Sequence, residues 1–204
     1  MSPSRTGLLC VVSGPSGSGK TTLCRALSAA EGCYYTVSAT TRPARPGEVD
    51  GSDYHFLSDE EFRRRLEAGE FLESANVYGR LYGTLKSEAL PQIARGREVI
   101  MDLDTQGAAS LRMVDHPLVR AAHFDVFLLP PTLQELRRRL AGRHSDAPQI
   151  QANRLASALS EVSHWREYAY TLISGTREDD LARFRTLLAA ERMRSSRLAN
   201  VDGF

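Results

Sequence analysis

The chain has 204 residues, 42% of them hydrophobic and 25% charged, which is long enough for one well-buried core and short for two independent domains. Its 26 lysines and arginines barely exceed its 25 aspartates and glutamates. No overall basic field therefore points to nucleic acid or an anionic membrane, and any attraction for phosphate must be local. Residues 1–7 are mostly polar, and the apolar run behind them is too short for a signal peptide or membrane span, so a soluble cytoplasmic protein is expected. Cys10, Cys24 and Cys33 lie in or near apolar segments and read as buried thiols of a reducing compartment rather than disulfides.

In chain order, the apolar run Leu8–Val12 leads into Gly14, Pro15, Ser16, Gly17, Ser18, Gly19, Lys20 and Thr21, a gapless match to Gly-x-x-x-x-Gly-Lys-Ser/Thr. Leu23, Ala26 and Leu27 then recur at one-turn spacing, so the pattern reads strand, loop, helix. Such a loop turns several backbone N–H groups inward, and the helix N-terminus adds its dipole, which suits a polyphosphate. Lys20 is one of only two lysines, with Lys86, in an arginine-rich chain. Its compact ammonium would reach the outer phosphates, and the Thr21 hydroxyl would bind Mg²⁺.

The first helix is expected over about 20–30, stopped by Gly32, followed by a strand over 34–38. Residues 39–53 hold Arg42, Arg45, two prolines and two glycines without regular periodicity, and read as a loop with phosphate-binding chemistry. A strand over 54–57, a capping box at Ser58–Glu61 opening a helix that ends near Gly69, and a strand over 71–77 follow. Residues 38–84 together look like a small insertion. Regular alternation then resumes with a helix over 87–95, a buried strand over 99–104, a short helix over 106–113 and a strand over 124–129. A second capping box at Thr132–Glu135 opens a helix through Arg139 and Leu140. After a break at 142–149 come a helix over 150–168, a strand over 171–174, a helix over 179–195 and a frayed tail. This alternation predicts an α/β fold, a parallel sheet wrapped by helices on both faces, with ligands at the carboxyl ends of the strands near Gly14 and Asp102.

The glycine loop alone names no reaction. A GTPase would need Asn-Lys-x-Asp, yet none of the three asparagines, Asn76, Asn153 and Asn200, is followed by lysine. Two arginine groups remain, Arg42/Arg45 and Arg139/Arg143/Arg154, in the segments that break the alternation. One could hold an acceptor phosphate and the other close over the donor, while Arg137 and Arg138 read as solvent-facing helix charges. Asp102 and Asp104 would share one side of a strand, since they are two residues apart. Asp102 is the candidate to orient a Mg²⁺ water, and Asp104 either faces the acceptor or caps the next helix.

Ser38-Ala-Thr-Thr-Arg42-Pro-Ala-Arg45-Pro-Gly-Glu-Val-Asp-Gly-Ser-Asp-Tyr54-His-Phe56 closely resembles the GMP-binding segment of guanylate kinases. Phe71-Leu72-Glu73, Tyr82-Gly83-Thr84, Asp102 to Gly107, Arg139 to Arg143 and Arg154-Leu155 resemble the same family in the same order, over about 8–190. The resemblance implies a nucleoside monophosphate kinase fold with a core at about 7–37, 85–141 and 150–195, a GMP-binding insertion at 38–84 and a lid at 142–149. It implies the reaction of ATP and GMP to ADP and GDP, with Mg²⁺, in purine nucleotide metabolism. ATP would lie on Gly14 to Thr21. Arg42 and Arg45 would grip the GMP phosphate, with phenolic donors from Tyr54 and Tyr82. Glu73 would accept from guanine N1–H and the 2-amino group, a donor pair that adenine lacks, while Ser38 and Thr84 engage other purine positions. Lys20, Arg42, Arg139, Arg143 and Arg154 would carry positive charge to the transferring group.

Two stretches depart from the family pattern. His144 and Ser145 follow Arg143 where glycine and threonine are usual, with Pro148 beyond, and Ser174-Gly175-Thr176 stands where Asn-Asp is general, on the adenine side. Rival readings are a related kinase acting on another phosphorylated acceptor and a non-catalytic phosphopeptide-binding module. The intact loop speaks against the module, and Glu73, Thr84 and the two tyrosines speak against the other acceptor. The sequence suits a monomer or a homo-oligomer alike.

Overall fold

The computed structural model of the chain describes residues 4–77, 79–141 and 148–199, without the side chains of 4, 141, 148–154 and 199. After β1 (Ser4–Arg5), β2 (Leu8–Ser13) enters the interior with all six residues buried. Its side chains divide by parity: Leu8, Cys10 and Val12 pack on one face with Leu23, Leu27, Phe184 and Leu188, and Leu9 and Val11 on the other with Val99, Met101, Leu111 and Phe127. This is why its sequence is continuously apolar: a strand covered on both faces alternates between two cores, not between core and water. Each such aliphatic or aromatic side chain contributes roughly 1.5–3 kcal/mol when fully buried.

Helix α1 (Lys20–Glu31) follows, ended by Gly32 at φ +70°, then β3 (Tyr34–Tyr35), β4 (Ala39–Thr40) and β5 (His55–Phe56). Helix α2 (Asp59–Glu67) is capped as expected, Ser58 Oγ accepting from the Glu61 amide at 3.1 Å. Strands β6 (Phe71–Val77) and β7 (Arg80–Leu85) form a hairpin, and α3 (Lys86–Ala94), β8 (Glu98–Asp102), α4 (Thr105–Arg112), α5 (Pro117–Ala122) and β9 (His123–Leu129) continue the chain. Helices α6 (Leu133–Ala141) and α7 (Pro148–Val162) precede β10 (Tyr170–Ile173), α8 (Arg177–Arg192) and β11 (Leu198–Ala199).

The main sheet has the order β10-β9-β2-β8-β3, all parallel. A second sheet, β5-β4-β7-β6, is built entirely from residues between 39 and 85 and packs Ala39, Phe71 and Leu85 on Phe62 of α2. Phe62 and Phe71 stack at 4.3 Å.

Four expectations change. Strand β7 was not foreseen: residues 80–85 carry no expected element of their own within the insertion. A Cβ at 83 would lie 2.8 Å from both the Glu73 carbonyl and the Phe71 ring, so glycine is what lets the hairpin close. Strand β8 stops at Asp102, and Asp104 is the N-cap of α4, so the two carboxylates are not strand neighbours. The helix expected over 150–168 ends at Val162, with a 3₁₀ turn at Ser163–Glu167 after it. Instead of fraying, residues 196–199 are held: β11 pairs with β1, and Arg197, 2% exposed, donates to the carbonyls of Ala121 and Ala122 and to Glu191, while the rest of the expected loose tail lies outside the described residues. An arginine with three internal acceptors anchors a segment that composition alone marks as loose.

All three cysteines are free and buried. Burial pushes the thiols of Cys10 and Cys24 well up and that of Cys33 to about 12, so they stay neutral. No described helix is long and apolar enough to cross a membrane.

Candidate active site

The glycine loop joins β2 to α1 with Gly14, Gly17 and Gly19 at φ +145°, +83° and +98°. At Gly14 a Cβ would come within 2.4 Å of the Leu128 carbonyl, so both conformation and space require glycine. Lys20 folds back over the loop, its Nζ donating to the carbonyls of Gly14 at 2.7 Å and Pro15 at 3.2 Å. Arg139 of α6 reaches the same loop. Its guanidinium donates to the Ser18 carbonyl at 2.9 Å, to Ser174 Oγ at 3.2 Å and to Glu135 at 2.7 Å. Arg138 also donates to Glu135, at 2.8 and 2.7 Å, and the bonds from Arg138 and Arg139 pull the Glu135 carboxyl down to about 2.

Beside Lys20, the Thr21 hydroxyl donates to Asp102 Oδ2 at 2.5 Å. Parallel pairing of Val12 with Asp102 brings that carboxylate from the end of β8 to the loop. Burial raises the Asp102 carboxyl, while Lys20 and the Thr21 bond oppose the rise. The hydroxyl and carboxylate are hard oxygen donors, and no group of three potential metal-binding His, Cys, Asp or Glu side chains occurs among the described residues. That donor set fits Mg²⁺, which is usually held by one or two protein oxygens together with phosphates and water.

A cleft of about 240 Å³ joins Lys20 and Thr21 to Ser38, Tyr54, Glu73 and Tyr82, with Asp102 and Asp104 also lining it. Glu73 is 6% exposed and its Oε1 has no hydrogen-bond partner among the described residues. Burial pushes its carboxyl up to about 7; Thr84 counters the shift, and the Asp104 charge adds to it. Thr84, fully buried, pairs opposite Glu73 across the hairpin, and its hydroxyl lies 3.5 Å from that of Ser38. Gly107 makes the room: a Cβ there would stand 2.9 Å from Glu73 Oε2 and 3.1 Å from Asp104 Oδ1. Asp104 Oδ1 accepts from the Gly107 amide at 2.8 Å, so this residue caps α4 while bordering the cleft. Tyr54 and Tyr82 meet edge to face at 6.1 Å.

Neither Arg42 nor Arg45 lines that cleft. Arg42 is turned onto Glu48, with N–O distances of 2.9 and 2.8 Å, and lies over the rings of Tyr54 and Phe56. Arg45 is exposed. Arg139 lines a separate cavity of about 230 Å³ on the other flank of the loop, with Gly17, Thr22, Ser174, Gly175 and Asp180. Arg143, His144 and Ser145 lie outside the described residues, as does the side chain of Arg154 in α7.

Sequence reasoning missed three acidic residues. Glu48 pairs with Arg42. Glu161 of α7 accepts from the Ser16 amide at 2.8 Å, tying that helix to the glycine loop. Asp180, at the start of α8, accepts from Ser174 Oγ at 3.0 Å and the Gly175 amide at 2.7 Å, locking the turn where the family pattern is departed from. The Glu-Asp-Asp run opening α8 was a signal for a helix start, and nothing local revealed that one carboxylate turns inward.

The guanylate kinase family profile matches residues 6–191. The chain is 43% identical to a guanylate kinase of Novosphingobium aromaticivorans, covering 98% of this chain and 89% of that protein. It is 45% identical to one of Symbiobacterium thermophilum, over 94% of this chain and 89% of the relative. Among solved structures, a guanylate kinase from Anaplasma phagocytophilum superposes with a TM-score of 0.81 at 31% identity, covering 98% and 94% of the two chains. A shikimate kinase from Acinetobacter baumannii superposes at 0.50 with 17% identity over 93% and 97%, a likeness of fold alone.

Proposed function

Because this chain belongs to the guanylate kinase family of ATP:GMP phosphotransferases, we propose that its two substrates meet in the cleft between the glycine loop and the second sheet. ATP lies on the loop and GMP on the sheet, with residues 38–84 as the acceptor-binding unit. The observation that carries this reading is the buried, half-satisfied carboxylate of Glu73 opening into the same cleft as Lys20 and Thr21. Ionised, Glu73 accepts from two adjacent guanine donors; adenine leaves the same buried charge without that pair, which is a strong basis for discrimination. Ser38 and Thr84 complete the purine pocket. Tyr54 and Tyr82 offer phenol donors to the acceptor phosphate.

The reaction needs no protein nucleophile. An oxygen of the GMP phosphate attacks the γ-phosphorus of ATP in line, the new P–O bond forms, the bond to the β–γ bridging oxygen breaks, and ADP leaves with that electron pair. Lys20 exchanges its loop carbonyls for phosphate oxygens and follows the charge that develops on the transferring group. Arg139, already on the Ser18 carbonyl, adds positive charge from the opposite flank, and Arg143 and Arg154 join it. Thr21 and Asp102 would hold Mg²⁺, and the ion would supply charge neutralisation to the phosphates. Free, buried cysteines support a cytoplasmic setting. Coupled detection of ADP tests the activity: GMP-dependent turnover of ATP is expected, with AMP a poor substitute. A folded protein that hydrolyses or transfers nothing in the presence of GMP overturns it.

A further inference from the structure

Arg42 is the most heavily tethered side chain at the acceptor end, and its tether is not substrate. The Glu48 carboxylate takes its guanidinium end-on, Oε2 on Nη1 at 2.9 Å and Oε1 on Nη2 at 2.8 Å, while Nη1 also donates to the Pro43 carbonyl at 2.7 Å. An arginine has five N–H donors in a plane, so end-on pairing leaves the side-on pair, Nε–H and the second N–H of Nη2. The aromatic rings of Tyr54 and Phe56, 5.3 and 5.7 Å from the guanidinium carbon, hold the plane as a floor.

The segment around Glu48 is shaped for this contact. Arg45–Glu48 is a tight turn, the Glu48 amide donating to the Arg45 carbonyl at 3.0 Å, with Pro46 second and Gly47 third at φ +87°. Space around Gly47 is open, so glycine serves the turn's backbone and not packing. The turn returns Glu48 to Arg42, and its Oε2 also accepts from the Arg45 amide at 2.7 Å. One carboxylate thus ties both arginines of the loop, one through its side chain and the other through its backbone. Arg42 in turn holds the Glu48 carboxyl below the usual carboxylate range, so the clamp is charged throughout the neutral region.

We propose that Glu48 is a positioning residue for acceptor binding: by occupying the end-on fork of Arg42 it presents the side-on N–H pair to the acceptor phosphate. This rests on the GMP kinase reading above and on Arg42, which is outside the cleft lining but stands over the Tyr54 ring that lines it, donating to the acceptor phosphate. A bare arginine would meet a phosphate in several orientations, and each adds disorder that binding must remove; a clamped one offers a single edge.

The test is equilibrium binding of GMP without ATP, by calorimetry, followed by steady-state kinetics, on wild type, Glu48→Gln, Arg42→Ala and the double variant. Glutamine keeps the size but places an amide N–H against a guanidinium N–H. Loss of a charge-assisted pair leads us to expect GMP affinity to fall about tenfold to a hundredfold. The KM for GMP should rise in parallel, and the KM for ATP should stay within about twofold because the two sites share no partners. In the Arg42→Ala background Glu48→Gln should add nothing, since its effect runs through that guanidinium. Equal rises in both KM values, or an undiminished loss without Arg42, would overturn the assignment, as would tighter GMP binding by Glu48→Gln, the mark of a competitor for Arg42. Glu48→Ala guards against a defect peculiar to glutamine, and an unchanged thermal midpoint shows that either variant folds. Wild type that fails to bind GMP sinks the functional reading itself, whereas wild type that binds while Glu48→Gln matches it sinks only the role of Glu48.

Discussion

The two halves of the cleft are built on opposite plans. On the donor side, eight consecutive residues make a backbone cradle whose shape depends on glycines with positive φ, and one ammonium crosses it. On the acceptor side the groups come from separate elements: Ser38 before β4, Tyr54 before β5, Glu73 on β6 and Thr84 on β7, with Gly107 of α4 behind them. A backbone cradle binds any polyphosphate, because amides see only oxygen. The side-chain pocket, on the function proposed above, would discriminate, because its buried carboxylate has an unmet need for hydrogen. Generality is local in sequence here, and specificity is tertiary.

Substitutions on each side should therefore fail differently. The largest effect is expected for Lys20→Ala. It removes the mobile charge of the donor half, and kcat should fall about a thousandfold while GMP affinity measured without ATP stays within about twofold. A matching loss of GMP affinity would break the division between the halves. Glu73→Gln is the reciprocal change. Selectivity for GMP over AMP, read from the ratio of kcat/KM values, should drop roughly thirtyfold to a hundredfold, with the KM for ATP little altered. Unchanged selectivity would remove Glu73 from the base-reading role.

The raised Glu73 carboxyl sharpens the same contrast through pH. With its carboxyl near 7, ionisation occurs within the assay range, so the KM for GMP should fall as pH rises from 6 to 8 while the KM for ATP does not follow. The stability consequence has the opposite sign. Between the ordinary glutamate value and about 7, the folded state keeps a proton that the unfolded chain has released, so stability declines as pH rises through that window. Glu73→Gln, always neutral, should then unfold at a higher temperature than wild type at pH 8, and by less at pH 5. A variant that melts earlier than wild type at pH 8 would show that the carboxylate is compensated by contacts, not strained by burial. The smallest effect belongs to Arg138→Ala. Arg138 shares Glu135 with Arg139 from the solvent side, and a solvent-screened pair contributes little to stability. Calorimetric melting should barely register its loss, whereas Arg139→Ala, which breaks the bond to the loop, should lower kcat.

Much of this architecture was legible in one dimension, and the exceptions have particular causes. Strand β2, α1 and the glycine loop follow from apolar run, spacing and glycines within a few residues of one another, and Ser58 and Thr132 cap the helices that their patterns foretold. Strand β7 was hidden because Gly83 meets a neighbouring backbone, a reason that exists only once the hairpin is folded. Glu48, Glu161 and Asp180 were hidden for a related reason: an acidic residue in a polar segment looks the same whether it faces water or a buried amide. Arg197 was read as part of a loose tail because its three acceptors lie on Ala121, Ala122 and Glu191.

By itself, then, the sequence established a phosphate loop between a buried strand and a helix, an α/β alternation and, through the resemblance of residues 38–56, an acceptor class. Those are properties of short windows, where periodicity and backbone permissiveness act within a turn or two. Only the tertiary structure decided which carboxylates keep a free oxygen and which are struts. It buried Glu73 with a free oxygen, made Asp104 a helix cap and turned Glu48 onto Arg42. A carboxylate's role depends on its desolvation and on which donors surround it, and both are fixed by chain segments distant in sequence.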